Sequence, residues 1–173
     1  MRLNRTGAAY LMIVALLAGF AAILAAVVGA APARAAPAEL IRPVVALVAL
    51  TAIVALLMGV FRNVAVIRGV VPARYFRGFT ADQPAEWVER PARAYMNLLE
   101  LPVLFYVVCL LMLTTGRFDS VQVALAWVFV AARCAHAFIH VAFNYVPLRF
   151  AAFVAGVITL AVIWTRFASQ NLS

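Results

Sequence analysis

The sequence predicts an all-α membrane protein: a bundle of four transmembrane helices with one further hydrophobic helix ahead of it. Three observations carry this. The 173 residues are 68% hydrophobic and 12% charged, with a mean hydropathy of +1.06, far greasier than the roughly half-apolar composition of a soluble domain. Several apolar runs reach the roughly 20 residues that a helix rising about 1.5 Å per residue needs to cross about 30 Å of hydrocarbon. The runs are also Ala- and Leu-rich and too long for the alternating strands of a barrel.

The first run extends from Ala8 to Ala31, behind Arg2 and Arg5. Small residues around Ala33 and Ala35 then form a pattern of the kind signal peptidase cuts, whereas a run of about 24 residues exceeds the roughly 7–15 of a signal peptide's apolar part. Residues 1–35 therefore read as a retained span or a cleaved signal. The second run, Pro43 to Phe61, is free of charge. A connection over residues 68–88 follows, with Arg74, Arg77, Asp82 and Glu86 among the aromatics Tyr75, Phe76, Phe79 and Trp87. The third run lies within "ERPARAYMNLLELPVLFYVVCLLML", residues 89–113, and continues to Thr114. A tight turn, "TTGRFDS", leads to the fourth, Val121 to Tyr145; Pro147 ends it, and a fifth, Phe150 to Trp164, closes the bundle. The last four runs, from Pro43 to Trp164, make one four-helix unit.

A net charge of +8 on a soluble surface would suggest nucleic acid. Here all 14 basic residues are arginines, concentrated in connections, so the charge reads as topology plus a site, and no nucleic acid is expected. Arg2, Arg5, Arg62, Arg68, Arg74, Arg77, Arg90, Arg93 and Arg149 fall on one side; only Arg34, Arg42, Arg117 and Arg166 fall on the other. The positive-inside tendency makes the first side cytoplasmic. Cys109 and Cys134 have no partner spacing and read as small buried hydrophobes.

Two helices carry polar stripes. Arg93, Asn97 and Glu100 stand at i, i+4 and i+7, with Arg90 one turn earlier; Arg133, His136, His140 and Asn144 stand at i, i+3, i+7 and i+11. With the runs crossing in alternation, both stripes converge on the cytoplasmic end, where Arg149 lies. An arginine at the centre of a spanning helix costs about 2.5–3.5 kcal/mol on insertion scales, so Arg133 and Glu100 should face protein or a wet cavity. The bland alternative is mutual glue, Glu100 with Arg133 and amides across helices, at about 0.6–2 kcal/mol each. More polar groups are present than glue requires, and the arginines exceed the acids, which favours an anionic ligand. The i, i+4 spacing of His136 and His140 also suits two metal ligands, but a metal needs three or four and nothing in that helix completes a set.

"ERPARAYMNLLE" resembles the E-R-x-x-R-A-x-x-N-x-x-E segment of the membrane-associated proteins in eicosanoid and glutathione metabolism, the MAPEG family, with the microsomal glutathione transferases among its members. "RCAHAFIHVAFNYVPLRFAAFVAG" is similar to that family's third and fourth helices, and the likeness covers residues 41–169 as one four-helix membrane domain, with the N-terminal run as an addition. The resemblance implies a homotrimer in the bilayer, glutathione as co-substrate held between subunits near the cytoplasmic face, and a lipophilic second substrate. By matched position Arg93, Asn97 and Glu100 would contact glutathione, with Arg133, His136 and His140 on the facing helix. Arg62 or Arg68 would supply a first-helix arginine, and Arg149 would stabilise the thiolate. His136 and His140 stand where the leukotriene-C synthases of that family carry tyrosines, and Tyr95 replaces a glutamine. The function implied is a glutathione-dependent transferase or peroxidase of the bacterial inner membrane. The alternative is a non-catalytic binding or assembly protein on the same scaffold.

Overall fold

Apolar segments in lipid must satisfy their backbone internally, and in the computed structural model the described residues do so as helices. These are α1 (Arg5–Val28), α2 (Pro37–Ile67), α3 (Tyr75–Gly78), α4 (Glu86–Thr115), α5 (Ser120–Ala142) and α6 (Val146–Asn171). The structure describes residues 5–78 and 85–172; Arg2, Phe79 and Asp82, and the side chains of Arg5 and Arg77, lie outside the described residues. All the helices except α3 are long and apolar enough to cross a membrane. Among the described residues there is no strand, only an isolated bridge between Arg34 and Asp119.

Two helices overrun the apolar runs that announced them: α2 continues past Phe61 to Ile67, and α6 runs from Val146 to Asn171 rather than from Phe150 to Trp164. Apolarity marks the part of a helix in hydrocarbon, whereas its length is set by backbone bonding and caps, so polar ends such as Arg62, Asn63, Arg166 and Gln170 stay helical. Pro147 opens α6 from within its first turn, where its missing N–H costs nothing.

The turns are built by their residues. Gly116 takes φ 65° to end α4. Asp119 then caps α5: its Oδ1 accepts from the backbone of Val121 at 2.9 Å and Gln122 at 3.1 Å, while Gln122 Oε1 accepts from Asp119 N at 2.9 Å. At the other end of α5, Asn144 adopts φ 49°, a conformation asparagine tolerates, and its N–H returns to the Ile139 carbonyl at 2.7 Å.

In the core, Leu40, Leu47 and Val54 recur every seven residues along α2, as Leu98, Phe105 and Met112 do along α4, all buried in one cluster. Phe105 stacks on Phe129 of α5 at 4.7 Å. In lipid this packing acts through dispersion and fit rather than through expulsion of water. Cys109 belongs to this core, but Cys134 is exposed on the outside of the bundle, contrary to the sequence expectation. The inward face of α5 is taken by Phe129, Val130, Arg133 and Ala137, which turns position 134 away.

α1 packs on α5 and α6 and does not touch α2, its neighbour in sequence. None of its described residues is buried. The α1–α2 linker is tied instead to the start of α5: Ser120 N donates to Ala33 O at 2.9 Å, and Ala33 N to Ser120 Oγ at 3.0 Å.

Candidate functional site

The arginine-rich ends of α4, α5 and α6 meet around a cavity of about 470 Å³, lined by Arg93, Met96 and Asn97 of α4, His136 and His140 of α5, and Val146, Arg149, Phe150 and Phe153 of α6. Two arginines and no carboxylate face it.

Each polar wall has a definite local origin. On α4, Asn97 Nδ2 donates to the Arg93 carbonyl at 2.9 Å, one turn back, which fixes the amide along the helix. Behind it lies Arg133, with no solvent exposure at all. Its Nη2 donates to the Asn97 carbonyl at 3.2 Å, and its guanidinium stands 5.8 Å from the Phe153 ring centre. Among the described residues its Nε and Nη1 have no hydrogen-bond partner. Gly156 lets α6 lie close to this side chain, since a Cβ there would stand 3.5 Å from Arg133 Cδ.

His136 is buried, with Nδ1 3.1 Å from the Arg149 carbonyl. A carbonyl oxygen only accepts, so Nδ1 carries the hydrogen and Nε2, unpartnered among the described residues, is left as an acceptor. His140, one turn on, is equally buried and neither ring nitrogen has a hydrogen-bond partner among the described residues. The two imidazole rings are 5.8 Å apart.

Arg149 is held from outside the cavity. Its Nη1 donates to Asn144 Oδ1, Asn144 Nδ2 donates to Glu86 Oε1 at 2.6 Å, and Glu86 also pairs with Arg90 at 3.2 Å. Arg90 Nη1 reaches the Ala142 carbonyl at 3.4 Å, a cation at the C-terminus of α5. The first turn of α4 thereby positions the first turn of α6.

The model of the MAPEG family matches residues 40–169. The chain belongs to the MAPEG family. It is therefore an integral, multi-pass membrane protein of the glutathione and eicosanoid metabolism family. No curated protein and no solved structure matches the chain. The MAPEG match begins in α2 and ends in α6, so the cavity lies wholly within it and α1 lies outside it.

Of the residues singled out in the sequence, Arg93, Asn97, His136, His140 and Arg149 line this one cavity, and Arg133 backs it. Glu100, Arg62 and Arg68 do not line it. Glu100 is exposed on α4, and no ion pair joins it to Arg133 among the described residues. Arg62 lies with its guanidinium 5.2 Å from the Phe76 ring centre at the end of α2, and Arg68 is exposed beyond it. No third His, Cys, Asp or Glu among the described residues joins the two histidines. The apolar lining, Met96, Val146, Phe150 and Phe153, was not foreseen, and nothing in a hydrophobic helix marks those positions. Glu86, in the sequence a charge of the connection, is the first residue of α4, and its i, i+4 spacing to Arg90 is the signal of that start.

Proposed function

We propose that this MAPEG protein is a glutathione-dependent membrane transferase or peroxidase acting on lipophilic electrophiles or hydroperoxides. The observation that carries it is the acid-free cavity with five buried nitrogens at its wall, from His136 and His140 in the lining and Arg133 behind it, that find no partner among the described residues. A buried donor or acceptor left unmade costs about 1–3 kcal/mol, so such a cluster calls for a polar ligand. Glutathione, with two carboxylates, an ammonium, two amides and a thiol, has groups for all of them. Arginine forks suit the carboxylates. Near pH 7 a thiol of pKa about 8.5 is mostly protonated, and a cation such as Arg149 beside it favours the attacking thiolate. Its sulfur then bonds to an electrophilic carbon, or to the terminal oxygen of a hydroperoxide as the O–O bond breaks and the alcohol leaves. In the second case another glutathione converts the sulfenic acid to disulfide and water.

A homotrimer belongs to the same proposal. Glu100 is exposed near the middle of α4, where a carboxylate facing lipid is costly, and a second copy over that face would cover it and bring it to the ligand's ammonium. We place the cavity at the cytoplasmic side of a bacterial inner membrane, from the arginine distribution.

One feature favours a second reading, binding without catalysis: His136 and His140 stand where the leukotriene-C synthases of the family carry tyrosines. The deciding experiment measures glutathione conjugation to a general electrophile by the purified protein in lipid nanodiscs. Turnover is expected, and Arg149→Ala should lower it by about 10²–10³-fold while glutathione binding stays measurable. Binding without turnover in the parent protein would leave the second reading standing.

A further inference from the structure

α1 lies outside the part of the chain that matches the family, and it packs loosely. Its seam with α6 holds an apolar void of about 470 Å³, lined by Ala9, Tyr10, Ile13, Val146, Pro147 and Phe150. Further along the same face of α1 a separate void of about 190 Å³ lies where α1, α5 and α6 meet, with Leu17 and Phe20 on one side and Ile139, Ala152 and Ala155 on the other. Neither lining contains a charged residue. From Ala9 to Phe20 the helix rises about 16 Å. The upper void shares Val146 and Phe150 with the arginine cavity. Both of these side chains are more than half exposed, so the partition is two apolar side chains rather than packed backbone.

Two apolar voids placed in turn along one face of α1, the upper one beside a cationic cavity, fit one shape of molecule: an unbranched alkyl chain with a polar, reactive end. We infer that the α1–α6 seam binds the alkyl chain of the lipophilic acceptor and brings its reactive end to Phe150, at the edge of the arginine cavity. The inference rests on the reading of that cavity as the glutathione site. Lipid tails compete for such a groove on equal terms, so its effect comes from alignment of the chain, not from the hydrophobic effect. Misplacement of a reacting atom by about 1 Å can cost up to about 10²-fold in rate. An extra helix would in this way give the enzyme a chain-length preference.

The test uses the full chain in nanodiscs. A dodecanoic acid with a diazirine near its tail is photolysed and the adducts mapped by mass spectrometry. Adducts concentrated on Leu17, Phe20, Ala152 and Ala155, and suppressed by excess dodecenal but not by crotonaldehyde, are expected. Adducts spread over outward residues such as Leu56, Leu110 and Phe138 and insensitive to competitor would mean boundary lipid only and overturn the inference. So would a mature protein whose intact mass lacks α1. Labelling needs neither glutathione nor turnover, so its result is separate from the fate of the glutathione reading, which the conjugation assay reports. Where conjugation is observed, Ile13→Trp should lower the ratio of kcat/KM for dodecenal to that for crotonaldehyde by about tenfold or more. An unchanged ratio would count against the inference.

Discussion

The bundle has a polar cluster at each end, and the two are finished differently. At the end away from the arginine cavity, Asp119 Oδ2 accepts from Arg166 at 3.1 Å and from Gln170 at 3.2 Å. Gln122, fully buried, donates to Gln170 Oε1 at 2.9 Å and accepts from Asp119 N. Arg117 closes on the Gln170 carbonyl at 2.9 Å. Of this cluster only Arg166 Nε is buried without a partner. At the arginine-rich end three side chains buried as deeply, Arg133, His136 and His140, leave five nitrogens open. A network that closes on itself holds helices together, whereas a buried network left open weakens the fold unless a ligand completes it.

If that contrast is right, the two ends respond oppositely to truncation. The largest effect is expected for Arg133→Met, which keeps the length of the side chain and removes the guanidinium. Glutathione affinity, measured by calorimetry in detergent or nanodiscs, should fall about 10–100-fold, the loss expected for hydrogen bonds to a charged group. Thermal stability without glutathione should hold or rise, because an incompletely paired buried cation is gone. An Arg133→Met variant that binds normally but melts early would make Arg133 structural glue and collapse the comparison.

The mirror experiment is Asp119→Ala. It removes the α5 cap and the acceptor for Arg166 and Gln170, which together should lower unfolding stability by about 1–3 kcal/mol, seen as a lower unfolding temperature. Glutathione affinity should stay unchanged. Loss of binding alongside stability would mean the two ends are coupled through α5, and that neither has a separate role.

A smaller effect, confined to the open end, is expected for Asn144→Gly. Glycine keeps the φ of 49° that an alanine would resist, so the turn survives while the amide link from Glu86 to Arg149 is lost. Turnover should fall about tenfold through loss of Arg149's position, with glutathione binding altered much less. A matched loss of binding and turnover would assign Arg149 to ground-state binding and not to the thiolate.

The same contrast explains what could be read from the sequence. Spans and polar stripes were legible because hydrocarbon imposes length and because a charge inside an apolar run is conspicuous; Arg93, Asn97, Arg133, His136 and His140 follow from spacing alone. The closed cluster was missed because Asp119, Gln122, Arg166 and Gln170 lie at helix ends, where polar residues are ordinary. Glu100 shares a face with Arg93 yet lies about 10 Å further along the helix, and periodicity gives the face but not where a cavity stops. Arg62 went to Phe76, a partner across a connection that no helical spacing connects to it. The unmatched helix α1 was visible as a span, but its docking on α5 and α6 depends on shape, which an almost featureless apolar sequence does not encode legibly.

The smallest expected effect tests how tightly the open end is held. Gly156 is the point where α6 meets Arg133, Phe129 and Ala132, and an added Cβ would stand 3.5, 3.8 and 3.9 Å from their nearest atoms. Those are ordinary contact distances, so Gly156→Ala should change stability by no more than about 0.5 kcal/mol and leave glutathione affinity alone; a residue with better helix propensity offsets any slight crowding. Gly156→Leu cannot fit the same space and must move either α6 or the Arg133 side chain. If Arg133 is poised for a ligand, leucine should weaken glutathione binding while the closed cluster, about 15 Å further along α6 at Arg166, keeps the fold. A Gly156→Leu variant that binds as the parent does would show that the guanidinium can leave its place without consequence, and the open network would then carry no ligand.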